Sequence, residues 1–369
     1  GSVVPPAWPF AEFCDEATAR ELARDPAKPR DLLGALITAP QNERFAQVMA
    51  NRLWQRFMGR GLVPSIEDWE KSGPSHPELL RWLGRELVRL GYDAKAFARL
   101  ILTSHAYQRA SDPALAEAEP LFVAPAPRRM TAEQVVDSYF LATGKPFALE
   151  PINLDLDSVR TIDNALDLGV ARRAWMLGST SNERDRPSLM LPRVQAVAEV
   201  MEVFGWRGAR PDAASGIREA GANVLQPALL ANGTMMAWLT RLSDDHGFTA
   251  LALEDQPLER LIDRVFLRLY TRLPLPGERA TFMAHLNPGY DDRIVADVHG
   301  ETDEATRQWT PFVAWSNHML TEGNVIRLEQ DAAARKGERP TGRLAPAWRE
   351  RFEDVLWALL NAPEFIVIR

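Results

Sequence analysis

Apolar residues recur along most of this chain at spacings of three and four, the pattern of one-sided helices packed on a core. Phe45, Val48, Met49, Leu53 and Phe57 follow Asn42, whose side chain suits an N-cap. Gly59 supplies the stop, because glycine tolerates the left-handed conformation that ends helices. Leu79, Leu80, Leu83, Leu87 and Leu90 follow Ser75-His76-Pro77-Glu78, which has capping-box spacing, and end at Gly91. Asp93 caps a third helix through Phe97, Leu100 and Ile101. Two short amphipathic segments, over 12–24 and 31–38, come before these. After a Pro/Ala/Glu-rich stretch over 111–127, helices are predicted over 131–143, 192–204, 223–239, 258–269, 309–320 and 346–360, with another that follows a hard turn over 274–278 and ends near His285. Alternating apolar and polar residues over 147–157 leave room for one small β-hairpin. The segment 323–341 reads as exposed, charged and in part unstructured. The expected fold is mainly α, an irregular multi-helix orthogonal bundle, with a helical subdomain over 1–127 and a second over 128–369.

The helix-loop-helix stretch from Asn51 to Tyr107 gathers polar residues that admit two readings. Asn51, Arg52, Trp54, Arg60, His76 and Glu78 flank the Gly/Pro/Trp-rich loop over 61–74. They either form a functional set or brace the loop by hydrogen-bonding its buried backbone, a common use of such residues.

The same stretch carries a likeness. N-R-L-W-Q-R-F-M-G-R-G-L-V over 51–63, P-S-H-P-E-L-L-R-W-L over 74–83 and L-I-L-T-S-H-A-Y-Q-R over 100–109 resemble the PSD-type domain of unknown function from planctomycete cytochrome-like proteins. The likeness continues at R-R-M-T-A-E-Q over 128–134, L-Q-P-A-L-L-A-N-G over 225–233 and L-W-A-L-L-N-A-P-E-F over 356–365. The resemblance implies an exported chain beside a cytochrome-like or haem-binding segment, with any haem held by that neighbour and no cofactor here. It implies no particular reaction. Many members carry Cys-x-Cys-Glu-Arg after a Phe-Gly segment, whereas the region from Phe204-Gly205-Trp206 to Ile217-Arg218-Glu219 has no cysteine.

Composition narrows the function classes. Hydrophobic residues at 46% and charged residues at 25% are those of a globular protein, and 369 residues suffice for one large or two ordinary domains. A net charge of -7 without a basic tract argues against nucleic acid as a partner. No apolar run reaches membrane-spanning length. The opening Gly1-Ser2 reads as a cloning scar, so the lack of a leader there carries no weight. Cys14 is the single cysteine, which excludes an intrachain disulfide and C-x-x-C-H haem attachment. The six histidines show no ligand spacing, so no metal site is expected. G-x-S-x-G, G-x-G-x-x-G, P-loop and H-E-x-x-H motifs are all missing.

The most polar run, Ser179 to Ser188, holds Asn182, Glu183, Arg184, Asp185 and Arg186, and a second loop brings Arg210 and Arg218. Planar guanidinium forks suit carboxylate, sulfate or phosphate, so a converging set would clamp an anion. The alternative is an internal ion network, with Glu183 and Asp185 as ready partners. Two functions follow. The first is a non-catalytic binding or assembly module of an exported multidomain protein, docking a cytochrome-like domain, another protein or a polysaccharide. The second is an enzyme on an anionic glycan, with Glu183 or Asp185 as acid/base and the arginines as clamp.

Overall fold

The computed structural model describes residues 16–22, 25, 27–65, 69, 72–111, 122, 124–150, 171–177, 192–206, 223–296 and 319–368. The chain divides into two compact units, 1–128 with 368–369, and 129–367. The mainly helical class holds. Among the described residues, strand is confined to Arg128–Arg129 (β1) paired with Val367–Ile368 (β2), besides one isolated bridge between Ile294 and Leu344. This pairing joins segments far apart in sequence, while 147–150 has no regular structure and 151–157 lies outside the described residues.

In the first unit, α1 (Glu16–Leu22) and α2 (Pro29–Thr38) precede α3 (Glu43–Met58), α4 (Pro77–Arg89) and α5 (Ala94–Leu102). The Asn42 side chain accepts the Phe45 N–H, and Gly59 at φ 85 closes α3. The capping box at the start of α4 does not form. His76 is the N-cap, and the Ser75 hydroxyl donates to the Leu62 carbonyl at 3.1 Å, which ties down the preceding loop. Helix α4 ends in a Schellman turn: Tyr92 N–H reaches Leu87 O, and Gly91 N–H, at φ 62, reaches Val88 O. Asp93 caps α5 by accepting from Lys95 and Ala96. Ala50, Trp54, Met58, Leu80, Leu83, Leu87, Phe97 and Ile101 interlock as one core.

The second unit holds α6 (Ala132–Thr143), α7 (Pro192–Val203), α8 (Leu225–Asn232), α9 (Thr234–Thr240), α10 (Gly247–Ala252), α11 (Leu258–Tyr270), α12 (Pro276–Leu286), α13 (Thr321–Lys336) and α14 (Pro346–Leu360). The capping box Thr131/Gln134 opens α6, and Gly144 at φ 67 ends it. The single helix expected over 223–239 is two, because Gly233 turns extended at ψ 150 between α8 and α9. The segment read as exposed and partly unstructured is the four-turn helix α13, which buries Gly323, Ile326 and Ala334 on one face. Its alanines, Glu and Arg residues are good helix formers, and one buried stripe suffices to dock it. The helix expected over 309–320 lies outside the described residues up to 318. Trp348, Phe352, Val355, Leu356, Leu359 and Leu360 of α14 run through the core against Tyr139, Phe248 and Leu286.

Candidate functional site

Among the described residues of the second unit, a charge cluster around a buried lysine begins where α6 ends. Gly144 turns the chain, the Thr143 hydroxyl donates to Tyr139 O, and Lys145 enters the interior with its side chain 4% exposed. Its ammonium donates to Ser243 Oγ and to Asp245 Oδ1, both at 2.5 Å, and lies 3.2 Å from Glu338 Oε2. Ser243 in turn donates to Asp245 at 2.6 Å. Arg193 donates to Glu338 Oε1 at 2.7 Å, with its guanidinium over the Trp238 ring at 5.1 Å. Glu150 fixes the start of α7 by accepting the N–H groups of Arg193 and Val194, as a carboxylate at a helix N-terminus should.

The hub of this network is the five-residue loop from Arg241 to Asp245, immediately after α9. Thr341 N–H donates to Leu242 O at 2.7 Å, and the Thr341 hydroxyl to Asp244 at 2.5 Å. Leu242 N–H donates to Glu353 at 2.8 Å. Arg241 reaches the carbonyls of Lys336 and Glu338. Gly337, at φ 60, lets that strand of chain cross Trp238, where a Cβ would sit 2.6 Å from the indole Cδ1. Burial opposes ionisation of Glu338. The Arg193 hydrogen bond and the charges of Lys145 and Arg193 outweigh it, holding the carboxyl down at about 2. Glu353 moves the other way, because its burial exceeds the help from the Leu242 N–H and from Arg349 and Arg241.

A serine beside a lysine invites a nucleophile–base reading, but the rest of the shell points elsewhere. Lysines that act as bases sit in apolar or cation-flanked surroundings. Lys145 instead has two carboxylates on its ammonium, and Ser243 is 2% exposed. The cluster is an ion lattice, centred on the buried Lys145 and open to solvent at Asp245, that ties α6, α7 and the Arg241–Asp245 loop to the segment after α13.

His246, the next residue, is buried and neutral. Its Nε2–H donates to Leu239 O at 2.9 Å, and Nδ1 accepts the Phe248 N–H at 3.1 Å, which fixes the tautomer. Burial lowers it from 6.5 to about 4, and the cations Lys145 and Arg268 add to that against the Leu239 carbonyl and Asp245. Between these pH values the unfolded imidazole takes up a proton that the native one refuses. Stability should therefore be complete above pH 6.5 and fall by up to about 3 kcal/mol as pH drops towards 4. Urea midpoints across that window test this, with His246→Gln flattening the slope.

A second lattice closes the chain's last described turn. Arg272 donates to Glu278 at 2.7 and 2.8 Å and to Glu364 at 2.9 and 2.8 Å. Glu278 also accepts the Leu275 N–H ahead of α12. The hydroxyls of Tyr139 and Tyr270 donate to Leu360 O and Leu359 O, and Phe365 stacks on Tyr139 at 4.5 Å. An open depression of about 340 Å³ is lined by Leu251, Arg264, Leu267 and Arg268. Arg264 pairs there with Glu254, and Arg268 lies over Phe248 at 5.0 Å.

The structure places the residues singled out from the sequence unevenly. Asn51 is fully buried, donates to Val63 O at 3.0 Å and accepts the Val63 N–H at 3.1 Å. Trp54 meets Phe122 edge-on at 5.3 Å, Arg60 covers the same ring at 4.8 Å, and His76 approaches it at 5.7 Å. Arg52 is exposed, and Glu78 pairs with Arg81 on its own helix, so neither reaches this group. Asn182, Glu183, Arg184, Asp185, Arg186, Arg210 and Arg218 lie outside the described residues. Asn51→Leu keeps the shape and strands both polar groups of Val63, so it should destabilise the first unit by about 3 kcal/mol in a urea titration.

Among the described residues no set of His, Cys, Asp and Glu side chains is arranged to hold a metal ion. No described helix is long and apolar enough to cross a membrane. No curated protein and no solved structure matches the chain. Residues 29–286 match the family PSD1, "Protein of unknown function (DUF1553)". That span takes in the Asn51 clamp, Lys145, Arg193, the Arg241–Asp245 loop and Arg272, and on it the chain belongs to the PSD1 (DUF1553) family.

Proposed function

We propose that this chain is a non-catalytic binding and assembly module of an exported multidomain protein, docking a cytochrome-like neighbour, another protein or a polysaccharide. One observation carries this reading: among the described residues of the second unit, Lys145 and Arg272, the centres of its two ion lattices, each meet two carboxylates. Lys145 with Asp245 and Glu338, and Arg272 with Glu364, act as cross-braces between segments distant in sequence, while Glu278 steadies Arg272 locally. Glu338, its carboxyl held down at about 2 by Arg193 and Lys145, stays ionised near neutral pH and is a poor proton donor there. The surface meanwhile offers large apolar side chains, among them Trp175 at 67% and Trp357 at 45% exposure. Trp357 is anchored by its indole N–H on Ala231 O, which leaves the ring available for stacking on a sugar or a protein side chain.

Two measurements on the full chain test the reading. Calorimetric titration with the cytochrome-like segment of the same protein is expected to show saturable binding. Thermal shift against sulfated and uronic oligosaccharides covers the polysaccharide partner, where ligand at 100-fold over Kd adds about 2.7 kcal/mol of stability. Arg184→Ala would remove a shift that depends on the arginine loops. Release of product from any of these glycans, abolished by Glu183→Gln or Asp185→Asn, would overturn the module reading in favour of a hydrolase.

A further inference from the structure

Helix α13 carries two apolar stripes. One is buried through Gly323, Ile326 and Ala334 and docks the helix on the second unit. The other points outward: Thr321, Val325, Leu328 and Ala332 recur at steps of four, three and four, and all four are exposed. Val325 is 48% and Leu328 68% exposed, and Leu320 and Met319 just before the helix are 54% and 84% exposed. A 4-3-4 spacing is that of a helix seam that packs against another helix. Surface helices ordinarily present polar residues there.

The charges beside this seam select the occupant. Glu322 stands in the first turn, and Arg335 and Lys336 stand in the last. None of the three charged side chains has a hydrogen-bond or ion-pair partner among the described residues, Lys336 being held only through its backbone carbonyl, which accepts from Arg241. An acidic start and a basic end on one helix complement a second helix of the same sequence run antiparallel. Such a pair about a two-fold axis seats Val325 of each copy on Leu328 of the other and Thr321 on Ala332. It brings Glu322 of one copy beside Lys336 of the other, twice by symmetry. The same register sets Glu329 beside its own copy at the axis, the one unfavourable contact.

We propose that a second copy of this chain covers the outward face of α13, forming an antiparallel, two-fold symmetric helix pair. The interface is small and wet at its rim, so the dimer is a weak one that populates with concentration. It stands independently of the docking partner proposed above.

Sedimentation velocity of the full chain over a concentration series reads the equilibrium directly. A monomer–dimer distribution is expected. Leu328→Lys, at an exposed position that leaves the fold intact in a thermal melt, should weaken it at least about tenfold. Lys336→Glu should weaken it roughly fivefold, Glu322→Lys likewise, and the two combined should restore it. Glu329→Gln should tighten it. A chain that stays monomeric at the highest concentration overturns the proposal, as does a dimer indifferent to Leu328→Lys. A double charge exchange that fails to restore association overturns the antiparallel register and the proposal with it.

Discussion

Lys145→Met should destabilise the second unit by about 3 kcal/mol, because it takes a buried ammonium from Ser243, Asp245 and Glu338, a loss that solvent softens at Asp245, whose side chain is 42% exposed. The methionine fills most of the lysine's volume, so the loss reports charge and hydrogen bonding rather than a cavity. Asp245 would lose its ammonium partner and keep Ser243, while Glu338 would retain Arg193. Adding Asp245→Asn to Lys145→Met should therefore recover part of the loss, as coupled neighbours do in a double-mutant cycle. Chemical denaturation at neutral pH measures both. A single variant within about 1 kcal/mol of the parent would show that the network is not a brace.

Trp348→Ala is the other large effect, about 3–5 kcal/mol. Trp348 is 1% exposed, donates its indole N–H to Leu286 O at 2.9 Å, and packs its ring at 5.3 Å from Phe352 and 5.8 Å from Tyr290. Arg293 extends the stack, lying 3.9 Å from the Tyr290 ring while donating to Ala252 O. Truncation would remove a large apolar volume and leave the Leu286 carbonyl unpaired at the end of α12. Trp348→Phe should lose roughly half as much, since it retains much of the packing and gives up the hydrogen bond. Calorimetric melts of the two variants separate the contributions.

Local signals in the chain were legible wherever a single helix decided its own ends. Asn42, Asp93, Thr131, Gly59 and Gly144 sit at the caps their chemistry suggests. Ser75 did not, because its hydroxyl is drawn to Leu62 O, a contact set by a loop rather than by the helix it precedes. Gly233 split one expected helix, and α13 rose from a segment whose charges suggested solvent, since tertiary docking outweighs a weak local preference. The ion lattice at Lys145 was invisible for the same reason. Its members come from positions 145, 193, 243, 245 and 338, and no spacing in the sequence links them. The one hint was local: a lysine directly after a glycine helix stop, and a Ser-Asp-Asp-His run two residues beyond a helix.

The closing lattice has a consequence for how the protein is made. Tyr139 finds its hydroxyl acceptor 221 positions downstream, and Arg272 finds Glu364 92 positions downstream. Contacts of such long separation form late in folding. The second unit can be completed only after the ribosome has released the segment through Phe365. Nascent chains arrested shortly before that residue should keep the first unit protease-resistant and leave 129–360 open to cleavage, with resistance arriving in one step once Glu364 and Phe365 clear the exit tunnel.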